Sequence, residues 1–166
     1  TEVYQGFVSS EQIQEEVMSV DSSLMQAQGN VWHKKDRDAG NLPKCGNIDT
    51  EAPWGVNGCG DWTFGYRFHC LVNADTELAL PKHVTVHAAN VKDGVVFTDE
   101  LAASLSPDTD VVLADSGYDE QACYDVCDKK QISLIAPLEV KPNTPPERIE
   151  RATLFNDPEV RGVFAL

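Results

Sequence analysis

The sequence is short of positive charge. Thirteen Lys and Arg stand against 27 Asp and Glu in 166 residues, for a formal net charge of −14. A domain that grips nucleic acid by itself neutralises phosphates with clustered Lys and Arg, so this balance argues against this stretch alone doing so. Two routes round the charge stay open: a solubility adaptation, for example to high salt, or a basic surface carried by other parts of the protein. Carboxylate clusters also suit divalent cations. Any apolar run near the length of a membrane span is also missing, which points away from a membrane partner. A secretory signal pattern and an internal repeat are missing too. The five cysteines (Cys45, Cys59, Cys70, Cys123 and Cys127) form no zinc-type doublet pair. Their odd number favours a reducing, cytoplasmic setting.

What is present fits one soluble globular domain. With 42% hydrophobic residues the chain is long enough to bury a sizeable core. It opens on Thr1 rather than Met and stops at Phe164-Ala165-Leu166 within what reads as an ordered segment, so a fragment of a longer protein is expected. Residues 1–16 are polar and read as an N-terminal extension, with a short helical pattern around Ser10 to Glu16. Residues 17–166 read as the domain.

Val111-Val112-Leu113-Ala114 runs straight into Asp115-Ser116-Gly117-Tyr118-Asp119. A short apolar run bounded by turn residues predicts a strand buried on both faces, as in a parallel sheet. Gly117 lets the chain turn tightly after it. Ligands of open α/β sheets bind at the carboxyl ends of strands. Asp115 is therefore placed either to hold a cation or move a proton, or simply to cap the next helix.

Earlier, Val17 to Met25 alternates as a strand, with Met18, Val20, Ser22 and Leu24 on one face and Ser19, Asp21 and Ser23 on the other. An Asp in mid-strand is unfavourable by propensity; it lies on a solvated face or is there for chemistry. Gln28 to Asp61 is rich in Gly, Asn, Asp, Lys and Pro, and is long for a loop. It carries the basic cluster Lys34, Lys35 and Arg37, either solvated or in contact with a phosphate backbone.

Phe64 to Val72 predicts a second strand, with Phe64, Tyr66, Phe68, Cys70 and Val72 as its apolar face and Arg67 and His69 opposite. A turn at Asn73-Ala74-Asp75-Thr76 leads to a third strand over residues 79–88, where Val84 and Val86 oppose His83, Thr85 and His87. These strands make an antiparallel meander. The three histidines read as surface or hydrogen-bonded groups ahead of metal ligands. Asp93-Gly94 breaks the pattern, and a helix is expected to start at Thr98-Asp99-Glu100 and close at Pro107. Residues 119–131 are amphipathic, with Ala122, Cys123, Val126 and Cys127 inward, so the two cysteines read as core packing. Ile132 to Ala136 predicts a second apolar strand. Pro142, Pro145 and Pro146 mark a linker-like turn before a tail that is helical in parts.

The fold class is therefore α/β: three antiparallel strands, then two parallel strands with flanking helices. If the strand at 111–114 lies beside the first, Asp21 and Asp115 converge. Two close carboxylates repel unless a cation sits between them, and such a pair is the minimum for holding Mg²⁺ or Mn²⁺.

The chain resembles the DDE transposases of prokaryotic insertion sequences, which have a ribonuclease-H-like catalytic core. The resemblance rests on Ser19-Val20-Asp21-Ser22-Ser23, Trp32-His33-Lys34, Phe64-Gly65-Tyr66-Arg67-Phe68-His69, Ala89-Asn90-Val91-Lys92-Asp93 and Leu113-Ala114-Asp115-Ser116-Gly117-Tyr118-Asp119. It implies that Asp21 and Asp115 are the first two catalytic acids and bind Mg²⁺ or Mn²⁺ for cleavage and strand transfer at DNA phosphodiesters. It also implies DNA (transposon ends and target) as partner of the full-length protein, and it is compatible with a homodimer. The family's third acid, a Glu, is expected just past Leu166, which would leave this fragment inactive. Glu150 is the fallback, ahead of Glu147 and Glu159. Arg67 stands where the family has a Lys and keeps a phosphate-binding charge. Two other functions use the same residues: a metal-dependent nuclease that cleaves without joining, and a non-catalytic DNA- or protein-interaction domain of this fold.

Overall fold

The computed structural model describes residues 15–41, 43, 46–75, 79–140, 142 and 144–147. Six strands are present: β1 (Val17–Gln26), β2 (Trp54–Val56), β3 (Trp62–Asn73), β4 (Pro81–Ala88), β5 (Val111–Ala114) and β6 (Ser133–Ile135). The helices among these residues are α1 (Lys34–Asp38), α2 (Asp93–Asp99) and α3 (Gln121–Lys129), with 3-10 turns at Leu101–Ser104 and Ser116–Tyr118.

All six strands join one mixed sheet. β3 pairs antiparallel with β1 along one side, and with β2 and then β4 along the other. β5 and β6 extend the sheet from the far side of β1, both in parallel. This is the ribonuclease-H-like arrangement expected from the sequence, with the meander of β1, β3 and β4 and the two later strands in place. Gly65 permits the crowding where β3 meets the end of β1, since a methyl there would lie 2.0 Å from the Met25 carbonyl oxygen.

The core forms between one sheet face and the helices. Met18 and Val20 of β1, Leu71 of β3 and Val112 of β5 pack against Val96, Phe97, Leu101, Tyr118, Cys123 and Cys127, all almost fully buried. The cysteines of α3 thus pack as expected, and burial pushes both thiols up to about 11. Cys59, Cys70, Cys123 and Cys127 are free thiols; Cys45 lies outside the described residues.

Three expectations are corrected. The run at 111–114 is buried on one face only: Val112 is inaccessible, while Leu113 is 37% exposed. The alternation of β3 and β4 is read correctly, but the inward face is the polar one. His69, Leu71 and Asn73 are fully buried, whereas Val84 and Val86 are each 53% exposed. His83 and His87 can face inward there because the elements above supply partners, whereas His69 is buried without a hydrogen bond. His83 Nδ1 lies 3.0 Å from Ser104 Oγ, and His87 Nε2 lies 3.2 Å from Glu100 Oε1. Finally, α2 starts at Asp93 rather than Thr98. Thr98 sits inside the helix and donates its hydroxyl back to the Val95 carbonyl at 3.0 Å instead of capping. Phe97, Leu101 and Leu105, spaced four residues apart, all point into the core as the chain runs from α2 through the 3-10 turn.

The long segment between β1 and β3 is organised by its aromatics. Trp54 Nε1 donates to the Trp32 carbonyl at 3.1 Å, Arg37 donates to the Ala52 carbonyl at 2.7 Å, and the Arg37 guanidinium lies over the Trp32 ring. Lys34 stacks over Trp62 in the same way. Among the described residues no helix is long and apolar enough to cross a membrane.

His69 gives a test of this packing. Its ring is fully buried, and neither nitrogen has a hydrogen-bond partner. Burial holds its pKa below the ordinary 6.5, against the opposing pull of Asp93. Below that ordinary value the unfolded chain takes up a proton that the folded chain refuses, so stability falls as pH drops from there towards the folded pKa. Denaturant midpoints at about pH 7.5 and about pH 5.5 should show this loss, and His69→Leu should shrink it.

Candidate active site

The ladder between β1 and β5 builds the site. Val17 pairs with Val111 and the register runs to Val20 beside Ala114, after which the next residues on the two strands are Asp21 and Asp115. Asp21 and Asp115 therefore follow directly on the last paired residues of two neighbouring strands, where the parallel pairing ends. Both residues are exposed to solvent. Asp115 also caps the turn that follows, accepting the Gly117 N–H at 2.9 Å, the capping role considered for it from sequence. Asp21 Oδ1 accepts the Ser22 N–H at 2.7 Å.

Asp115 is held above the usual aspartate value of 3.8. Partial burial at the strand end is the main cause, and the negative charges of Asp93 and Asp21 add to it. Like charges gathered round one carboxyl group favour its protonated form unless a cation compensates. Tyr118 lies beneath: its ring meets Phe97 edge-on with centroids 5.9 Å apart, and its buried hydroxyl has no partner. Burial and the same three carboxylates push that hydroxyl up.

Behind the exposed pair is a third acid. Asp93, the first residue of α2, accepts from Arg67 Nη1 at 2.8 and 2.9 Å and from Ser22 Oγ at 2.8 Å. Arg67 Nη2 donates to the Val56 carbonyl at 2.9 Å, which ties β2 to the same cluster. Gly117 separates the two acids on this side. A methyl on it would sit 3.0 Å from Asp115 Oδ1 and 3.0 Å from Asp93 Oδ2.

The family model described as "Transposase DDE domain" matches residues 12–162. The chain belongs to the DDE transposase family. No curated protein matches it. Among solved structures it is similar to piggyBac transposase in a synaptic complex with hairpin DNA, with a TM-score of 0.46 and 9% identity over 90% of this chain and 29% of that one. It is also similar to Mos1 transposase in a paired-end complex with the left transposon end (TM-score 0.40, 7% identity, 90% of this chain and 50% of that one). A third similar structure is a simian T-cell lymphotropic virus intasome in complex with a PP2A regulatory subunit (TM-score 0.37, 14% identity, 89% and 43%). The chain thus spans half or less of the length of each of these proteins.

DDE transposases depend on divalent cations. The oxygens of Asp21 and Asp115, exposed carboxylates, are of the type a hard cation takes. Among the described residues no group of three or more His, Cys, Asp or Glu is arranged to hold a metal ion. Glu147, exposed and described, therefore does not join Asp21 and Asp115 as a third ligand. Glu150, Glu159 and the segment at 160–166 lie outside the described residues. His69, His83 and His87 form no ligand set either.

Two site features are poorly legible in a DDE transposase sequence of this kind. Arg67, expected to offer charge to a phosphate, spends its guanidinium on Asp93 and the Val56 carbonyl and is 13% exposed. Asp93 was visible only as the last residue of a motif. Its signal was the break in strand alternation at Asp93-Gly94, which marks a helix start beside the sheet.

Proposed function

We propose that this chain is the catalytic domain of a DNA transposase, cutting and joining DNA phosphodiesters with Mg²⁺ or Mn²⁺ held by Asp21 and Asp115. The observation that supports this reading is the β1–β5 register, after which Asp21 and Asp115, both exposed, are the next residues on the two strands. When bound, the cation supplies a nucleophile at neutral pH and offsets charge on the phosphate. The protein's own part is positional. Asp21 and Asp115 are fixed by strand backbone, Asp115 further by the Gly117 N–H, so the two donors are preorganised. DNA, as transposon end and target, is the substrate of the full-length protein. Its basic contacts come mainly from outside this acidic domain, whose net charge is −14. The cytoplasm is the compartment this reading assigns.

Mn²⁺ titration by calorimetry tests the site directly. The full chain should bind saturably, and Asp21→Asn and Asp115→Asn should each abolish that binding. Affinity should also fall as pH is lowered, starting above the ordinary aspartate value of 3.8, because protons compete for a carboxyl group whose pKa is raised. Binding that neither substitution changes would overturn the assignment.

A further inference from the structure

Arg67 brings a permanent positive charge close to carboxylates that the reading above reserves for a cation. Left to itself, a guanidinium near an exposed carboxylate such as Asp115 would pair with it. The structure shows what it does instead. Nη1 is occupied by both oxygens of Asp93, at 2.8 and 2.9 Å, with Ser22 Oγ 3.4 Å away. Nη2 is occupied by the Val56 carbonyl. Asp93 is in turn held from a second side by the Ser22 hydroxyl at 2.8 Å. Ser22 and Asp21 are consecutive residues of one strand, so their side chains leave on opposite faces. Asp93 and Arg67 are thus gathered on the face under α2, while Asp21 points the other way. Only Gly117 separates Asp93 Oδ2 from Asp115 Oδ1.

We propose that Asp93 is a positioning residue that holds the Arg67 guanidinium away from Asp115, so that this carboxylate stays free for a divalent cation beside Asp21. The proposal rests on the metal-site reading above. It differs from a plain structural role, in which the Arg67–Asp93 pair only fastens β3 to α2.

Mn²⁺ titrations of the full chain separate the two. Asp93→Asn frees the guanidinium and should weaken Mn²⁺ binding roughly tenfold or more, as expected for one competing charge at short range. Removing the guanidinium as well, in the double variant Arg67→Met with Asp93→Asn, should restore affinity to within about threefold of the parent, a non-additivity that marks coupled neighbours. Asp93→Glu keeps the negative charge and should retain binding. A fastening role predicts that the double variant is no better than Asp93→Asn, and that result overturns the proposal. Arg67→Met alone provides a second test that does not depend on the folding of Asp93→Asn. It should bind Mn²⁺ at least as tightly as the parent, and weaker binding by a variant with parental circular dichroism overturns the proposal. If the parent binds Mn²⁺ through Asp21 and Asp115 but Asp93→Asn does so equally well, this proposal fails alone. If the parent has no site that Asp21→Asn removes, the metal-site reading fails and takes this proposal with it.

Discussion

Asp115→Asn is expected to lower DNA strand cleavage by the transposase at least about 10³-fold, a loss of roughly 4 kcal/mol in transition-state stabilisation. The substitution is nearly isosteric. The amide oxygen can still accept the Gly117 N–H that Asp115 Oδ1 accepts at 2.9 Å, so the turn should survive. What disappears is one of the two negative charges proposed to hold the cation, just past the β1–β5 ladder. A neutral amide binds a hard divalent cation far more weakly than a carboxylate, and the cation is asked to supply the nucleophile and the charge stabilisation. Stability should not fall with activity. Asp115 in the folded chain carries a raised pKa, so its ionised form is disfavoured by folding, and removing that charge relieves repulsion from Asp93 and Asp21. The result to look for is therefore lost cleavage together with an unchanged or higher denaturant midpoint. Cleavage and joining are assayed on labelled DNA ends, with both steps scored. A variant that cleaves within about tenfold of the parent would remove Asp115 from the chemistry.

Phe97→Ala is expected to have the largest effect on stability, about 3–5 kcal/mol. Phe97 is fully buried at the centre of the core, and it is the edge-on partner of Tyr118. Its loss leaves a cavity under the turn that carries Asp115, between α2 and the sheet. The adjacent ring behaves oppositely. Tyr118 buries a hydroxyl that has no hydrogen-bond partner, and a buried donor without a partner costs about 1–3 kcal/mol. Tyr118→Phe should therefore be neutral or stabilising by about 1 kcal/mol, while keeping the ring contact. Urea midpoints for the two variants, with unchanged m-values, give both numbers. Equal destabilisation by the two would show that the Tyr118 hydroxyl is satisfied in solution and that the contrast is wrong.

The sheet was readable from sequence because its signals are local. Val111 to Ala114 is an apolar run ended by Asp-Ser-Gly, and β1, β3 and β4 alternate cleanly, so their existence and pairing follow from period and turn residues. The inward direction of β3 and β4 was not readable. It depends on Asp93, Glu100 and Ser104, which reach Arg67, His87 and His83 from segments distant in the chain. A polar stripe with partners can be buried, and the valines opposite can be left outside. The start of α2 was also hidden. Lys92 precedes it in extended conformation with no side-chain cap, whereas Thr98 offers a capping residue type and uses its hydroxyl differently. The positions of Asp21 and Asp115 were accessible from the strand pattern alone. Asp93 was not, because its importance comes from Arg67 and Ser22 rather than from its neighbours in sequence.

The β1–β5 ladder also has a consequence in time. Val17 finds Val111 only after the whole meander and α2 have been made, since every intervening residue lies in that closed loop. The antiparallel contacts between β3 and β4 close over a short turn, and contacts near in sequence form before distant ones. A nascent chain that has reached Ala88 holds Asp21 in a hairpin sheet with no second carboxylate beside it. Asp21 and Asp115 are brought to neighbouring strands only by this long closure, so a chain interrupted before β5 is expected to lack the proposed site.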